Sequence, residues 1–198
     1  MGAQPEWTCS ASCVFPKVTL GPLRSTLRQS GGMRIAVLSD THGPRHWKRC
    51  PDAVAEQLQE VELILHAGDV CTVAVLEELS AFAPVRTVLG NNDGPDVAAW
   101  GAPETAEFEL AGLPVAMIHD SGPAAGRGPR LRKRFPSAEL VVFGHSHIPW
   151  DETHAGQRAF NPGSPTDRRR QPVGTMGQLE IVDGRIVRAE IVPLPPAV

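Results

Sequence analysis

The chain has 198 residues, 41% of them hydrophobic and 21% charged, with a formal net charge of −3. That length fits one domain around one sizeable core. The acidic balance excludes the basic footprint of a general nucleic-acid binder, and no apolar run approaches the roughly 20 residues needed to span a membrane.

Four cysteines are too few and too scattered for a disulfide scaffold, and none shows the C-x-x-C spacing of a zinc module. A reducing, cytoplasmic setting is expected. Residues 1–32 are rich in Ser, Thr, Gly and Pro. Their one apolar stretch, "CVFPKVTLGPL", is broken by Pro16, Lys17 and Pro22, so it lacks the continuous core of about 7–15 residues that a secretory signal needs. These residues are expected to be a disordered extension, or to precede the true start at Met33. The folded domain is expected over residues 33–194.

"MRIAVLSD" (33–40) predicts a buried strand followed by a loop, and "PDAVAEQLQEV" (51–61) a helix with Pro51 in its first turn. "ELILHAGD" (62–69) predicts a second strand, "TVAVLEELSAF" (72–82) a second helix and "PVRTVLGNND" (84–93) a third strand. Strand–helix–strand–helix–strand at this spacing predicts parallel pairing with helical crossovers. Ligands of such sheets sit beyond the carboxyl ends of the strands.

The second half reads as more antiparallel. Strands are expected at 105–110 and 114–120 around Ala111-Gly112-Leu113, and a basic helix end at 130–136. Another buried strand is expected over "ELVVFGHSH" (139–147), then a hairpin over 177–192 turning at Asp183-Gly184.

Polar residues collect at the strand ends: Asp40-x-His42, Gly68-Asp69, Gly90-Asn91-Asn92-Asp93, His119, and Gly144-His145-Ser146-His147. In extended chain, residues i and i+2 point to one side. On that reading Asp40 and His42 share a point, as do His145 and His147, with Thr41 and Ser146 as spacers. Any one of these motifs alone is an ordinary loop; five of them in order at strand ends are not coincidence. Imidazole, carboxylate and amide oxygen without thiolate suit Mn, Fe, Ni, Co or catalytic Zn. The donors exceed one metal's needs, and two metals roughly 3.5–4 Å apart would use them all. Two divalent cations against two carboxylates leave positive charge over, which favours an anion such as phosphate.

The ordered set D-x-H, G-D, G-N-x-D, H, G-H-x-H resembles the calcineurin-like metallophosphoesterase superfamily. "LILHAGDV", "VLGNND" and "FNPGS" (160–164) resemble more closely its small single-domain YfcE/MJ0936-type phosphodiesterases. The resemblance implies an α/β fold, a four-layer α/β/β/α sandwich with two mixed β-sheets. It implies that Asp40, His42 and His147 hold one metal and Asn91, His119 and His145 the other, with Asp69 bridging. It also implies two divalent ions, Mn²⁺ first (Ni²⁺, Fe²⁺, Co²⁺ or Zn²⁺ as alternatives). A metal-bridging water of lowered pKa would attack phosphorus in line. The substrate would be a small phosphodiester or nucleotide.

Two positions depart from the family pattern. Asn92 stands where many members carry a histidine that protonates the leaving group, and an amide cannot do this near pH 7. Asp120 follows His119 where glycine is frequent, and it either disturbs the site or orients His119. Asp93 is expected to orient a ligand, the alternative being a turn-capping carboxylate. Arg168 in "DRRR" is the candidate substrate contact, weighed against a solvated basic loop. His66 and Cys71 are expected to pack beside the site without binding metal, and His46 and His154 to lie at the surface. Asn161 and Ser164 either support the site or build the turn at Pro162-Gly163.

A phosphomonoesterase of the same fold stays open. So does a catalytically silent scaffold, since the vacuolar sorting subunit of retromer also resembles this family. No proposed ligand is missing, which favours the enzyme. A serine hydrolase is set aside, because Ile148 takes the last glycine position of a G-x-S-x-G elbow around Ser146. The oligomeric state stays open, a homodimer being one option.

Overall fold

The structure, a computed structural model, describes residues 32–195. Apart from Gly32, the segment expected to be an N-terminal extension lies outside the described residues. Fourteen elements follow in order: β1 (Met33–Leu38), α1 (Asp52–Gln57), β2 (Leu63–His66), α2 (Val73–Ser80), β3 (Val85–Thr87), α3 (Pro95–Trp100), β4 (Thr105–Leu110), β5 (Leu113–Ile118), α4 (Arg127–Arg134), β6 (Leu140–Val142), β7 (Trp150–His154), β8 (Gln157–Asn161), β9 (Gly174–Val182) and β10 (Arg185–Leu194).

They build two five-stranded sheets, ordered β10-β9-β1-β2-β3 and β4-β5-β6-β8-β7. In the first, β1, β2 and β3 are parallel and the β9–β10 hairpin adds antiparallel to β1. In the second, β5, β6 and β8 are parallel, with β4 and β7 antiparallel at the edges. The second half is therefore mixed rather than mainly antiparallel. Helix α4 forms the crossover from β5 to β6.

Alternate residues of each central strand serve different layers. Ile35 and Val37 pack with Leu65, Val115, Met117, Val142 and Phe160 between the sheets. Ala36 and Leu38 turn the other way, onto Val54 of α1 and Leu76 and Leu79 of α2. On the far side, Val141 and Phe143 pack on Leu131 and Phe135 beneath α4. The result is the expected α/β/β/α sandwich. Strands buried on both faces read as unbroken apolar runs, which is why β1, β2 and β6 stand out in the sequence. Truncating a buried residue such as Leu76 to alanine removes about 2–5 kcal/mol.

Local chemistry sets the element ends. Thr72 Oγ1 caps α2 by accepting from the Ala74 N–H at 3.1 Å. The β9–β10 turn uses Asp183 (φ 47°) and Gly184 (φ 73°), the left-handed pair that two-residue hairpins demand. Among the described residues, no helix is long and apolar enough to cross a membrane.

For the site, one consequence matters. Strands β1, β2 and β3 of one sheet and β5 and β6 of the other deliver their following loops to a common edge. Backbone hydrogen bonds tie those loops together: Asp40 N–H to Gly68 O, His42 N–H to Asp69 O, and Gly144 N–H to His119 O.

Candidate metal centre

Asp40, His42 and His147 bring donor atoms within 4.8 Å of one another, and so do Asp40, Asp69 and His119. The expected route to this convergence is corrected by the backbone. Asp40, His42, Asp69, His145 and His147 have φ of 56°, 48°, 58°, 68° and 57°. They occupy the left-handed region rather than extended strand, so simple alternation does not apply. His145 and His147 accordingly take different partners. His147 stacks on His42 with ring centroids 5.1 Å apart, whereas His145 meets His119 edge-on at 5.2 Å.

Asp40 is wholly buried. Its Oδ2 accepts from Ser39 Oγ at 2.6 Å and from the His145 N–H at 3.0 Å. Its Oδ1 has no hydrogen-bond partner and lies 3.3 Å from His147 Nε2. Burial, only partly offset by His119 and the Ser39 bond, pushes its carboxyl up to about 7. His147 donates Nδ1–H to the Asp167 carbonyl. That fixes the tautomer and leaves an unprotonated Nε2, which faces His42 Nε2 at 3.2 Å. Burial lowers the pKa of both rings. His42 Nδ1 lies 3.4 Å from Cys71 Sγ.

Asp69 sits between the two groups. Its Oδ2 is 3.7 Å from His42 Nε2 and 3.3 Å from His119 Nε2. Burial would raise its carboxyl, but the bond and charge of His119 and two bonds from Asn92 hold it well below the usual carboxylate range. His119 Nδ1 donates to Ala67 O at 2.7 Å, again leaving Nε2 for the site. Asn91 Oδ1 is 3.1 Å from His119 Nε2 and 2.8 Å from His145 Nδ1.

Asn92 is exposed at the mouth. Its backbone N–H and its amide donate to the two oxygens of Asp69 at 2.8 and 2.7 Å. Asp93 accepts three backbone N–H groups: Asp69 and Gly90 on Oδ2 at 3.0 and 2.7 Å, and Cys71 on Oδ1 at 2.6 Å. It organises the loops that carry Asp69 and Asn91. Glycine is required at position 90, where a Cβ would lie 2.2 Å from the Asp69 backbone nitrogen.

Asp120 does neither of the two things open to it. It is exposed and accepts from the Gly122 N–H at 2.7 Å, so it is a turn residue. His66 is fully buried, with Nε2 3.1 Å from Thr41 Oγ1, and burial pushes its pKa down to about 3, so it is neutral packing. Ser164 Oγ donates to Asp40 O at 2.8 Å, and Asn161 Nδ2 to Gly144 O at 2.8 Å; both support site loops. His46 is exposed at the rim, with its ring 6.3 Å from that of His42. His154 is exposed beside Gly128 of α4. Arg168 turns its guanidinium to Gln171 O at 2.6 Å. Its neighbour Arg169 is also exposed but lies 3.9 Å from Asp167 Oδ2, and its charge adds to the lowering of the His42 and His147 pKa that burial causes. Sequence reasoning assigned no role to Ser39 or Asp167, and from "DRRR" (167–170) it chose Arg168 where Arg169 is the arginine whose charge reaches the two imidazoles. Ser39 carried a signal in its adjacency to Asp40.

The donor set fits a divalent cation. A buried carboxylate oxygen without a partner faces an unprotonated imidazole nitrogen, a second imidazole nitrogen lies across from it, and no thiolate competes. The second group offers the same chemistry with an added amide oxygen.

Comparison with known proteins gives the same class. A family model described as "Calcineurin-like phosphoesterase superfamily domain" matches residues 33–184. A probable metallophosphoesterase of Methanothermobacter thermautotrophicus is 36% identical over 166 residues, covering 81% of this chain and 92% of that protein. Among solved structures, a zinc complex of Vps29 from Entamoeba histolytica superposes with TM-score 0.64 at 22% identity, covering 81% of this chain and 99% of that one. A structure described as a novel archaeal phosphodiesterase gives TM-score 0.63 at 20% identity, covering 81% and 100%. At such identities the two structures show the fold alone. The chain belongs to the calcineurin-like phosphoesterase superfamily, and family and donor set together define a metal-dependent phosphoesterase.

Proposed function

We propose that the protein is a phosphodiesterase that works with two divalent cations, Mn²⁺ first among them. Asp40, His42 and His147 would hold one cation and Asn91, His119 and His145 the other, with Asp69 between them. The observation that carries this reading is the position of Asp69 Oδ2, within 3.7 Å of His42 Nε2 and 3.3 Å of His119 Nε2. When bound, the cations would polarise the phosphoryl oxygens and lower the pKa of the attacking water.

The chain's own residues do the rest. His119 and His147 spend Nδ1–H on the carbonyls of Ala67 and Asp167, which keeps each Nε2 aimed at the centre. Asp93 holds the Asp69 loop through three backbone bonds. Asn92, released from Asp69, can donate its amide to a phosphoryl oxygen but has no proton to give the departing ester oxygen. The attacking water would lose its proton to solvent as its oxygen bonds to phosphorus, and the ester oxygen, as its bond to phosphorus breaks, would leave as an anion or take a proton from solvent. Esters of acidic alcohols, aryl diesters above all, are the expected good substrates.

A protein described as an archaeal phosphodiesterase shares this fold, which makes the diester the first substrate to try. A binding scaffold draws support from the likeness to Vps29, and the complete donor set weighs against it. The test compares bis(p-nitrophenyl) phosphate with p-nitrophenyl phosphate on Mn²⁺-loaded protein. A higher kcat/KM for the diester is expected; a higher value for the monoester makes the protein a phosphomonoesterase.

A further inference from the structure

A cavity of about 900 Å³ opens beside the metal centre. His46 and Thr166 line it. The His46 ring lies 6.3 Å from that of His42, and Thr166 Oγ1 donates to Thr41 O at 2.9 Å. The cavity therefore borders the loop that carries Asp40 and His42.

The lining has two characters. Arg45, Lys48 and Arg168 bring positive charge, and Pro165, Val173 and Leu194 form an apolar wall. Among the described residues, Arg45 and Lys48 have no carboxylate within 4.0 Å. Arg49 and Asp52, also at the edge, pair with each other at 2.8 Å. Among the described residues, Glu56 is then the one lining carboxylate left to set against those three cations.

Free cations beside an apolar wall select a ligand that carries a flat apolar body and a second anion on one frame. A simple aryl diester has no second anion. A long nucleic acid would need a basic track extending past the cavity, and the chain's net charge is −3. The volume is that of a small-molecule site, which runs to roughly 1,000 Å³.

We propose that this cleft holds the distal half of a nucleotide substrate. Its second phosphate lies on Arg45 and Lys48, and its nucleoside rests against Pro165, Val173 and Leu194. The scissile diester lies at the metal centre. This inference rests on the phosphodiesterase reading and names its substrate class.

The test uses the full chain loaded with Mn²⁺ and two substrates, the p-nitrophenyl ester of thymidine 5′-phosphate with and without a 3′-phosphate. The 3′-phosphate is expected to raise kcat/KM about tenfold or more, the value of one good contact of 1.4 kcal/mol. The double variant Arg45→Ala/Lys48→Ala is expected to bring that ratio down towards one. A ratio near one in the parent chain, or a ratio the variant leaves unaltered, overturns the cleft. Thymidine 3′,5′-bisphosphate, titrated calorimetrically into both proteins, separates the two readings. Binding that weakens about tenfold in the variant, with neither ester turned over, keeps the cleft and overturns the phosphodiesterase. Turnover of both esters with bisphosphate binding unchanged by the variant does the reverse.

Discussion

The Nε2 atoms of His42 and His147 face each other 3.2 Å apart, although 105 residues separate them in the chain. Strands β1 and β6 belong to different sheets, yet their following loops meet at one edge. Beside the two nitrogens lies Asp40 Oδ1, a buried oxygen with no hydrogen-bond partner. Two imidazole nitrogens and a carboxylate oxygen crowded together make sense around a cation.

Metal should stabilise the fold strongly. Mn²⁺ at about 100 times its Kd is expected to add ~2.7 kcal/mol, a rise in Tm of roughly 5–10 °C for a chain of this size. Thermal melts of metal-stripped protein with and without Mn²⁺ measure it, and coincident melts contradict it.

Metal affinity should fall in acid. In the metal-free protein, burial raises the Asp40 carboxyl to about 7, so below that pH a cation must displace its proton. His119 adds to the effect: burial opposes it, but the Asp69 bond and charge raise its pKa. Each displaced proton costs up to about tenfold in affinity per pH unit. Mn²⁺ titrations should steepen from pH ~7.5 down to ~5.5. A flat profile over that range tells against Asp40 as a ligand.

Asp93→Ala removes the acceptor of three backbone N–H groups. Each group left unpaired inside the loops costs about 1–3 kcal/mol, and disturbed loops should weaken metal binding about 10–100-fold. Asp120→Ala, which frees one exposed turn N–H, should stay within about 1 kcal/mol. Denaturant melts and Mn²⁺ titrations of the two variants should differ sharply; equal behaviour removes Asp93 from its organising place.

Much of this site was legible in the sequence, for a physical reason. Strands buried on both faces give unbroken apolar runs, so their ends, and the polar residues placed there, stand out. The partition of donors was not legible from spacing. His145 and His147 diverge because each sits in a left-handed loop, a geometry that two-residue periodicity does not encode. The carbonyl of Asp167 orients His147, and a carbonyl has no residue signature. Strand β7 also escaped, because Asp151 to His154 are exposed along an edge and show no alternation. Helix α3 also escaped: it follows directly on the Gly-Asn-Asn-Asp-Gly turn and buries only Val97 of its six residues, so no apolar period shows.

Leaving-group chemistry should expose the amide at position 92. The rate should drop steeply as the alcohol's pKa rises across a series of diesters. Asn92→His places an imidazole at the mouth and should speed alkyl esters roughly 10²-fold while changing aryl esters little. A flat series in the parent chain means that another group delivers the proton.

The most direct test of the dinuclear reading is a rate titration. Metal-stripped protein hydrolyses bis(p-nitrophenyl) phosphate while Mn²⁺ is added in known equivalents, beside Asp69→Ala treated identically. The expected result is activity that climbs to a break at two equivalents per chain and is absent in the variant. Turnover that ignores Mn²⁺, or that survives the loss of Asp69, contradicts a two-metal centre built around that carboxylate.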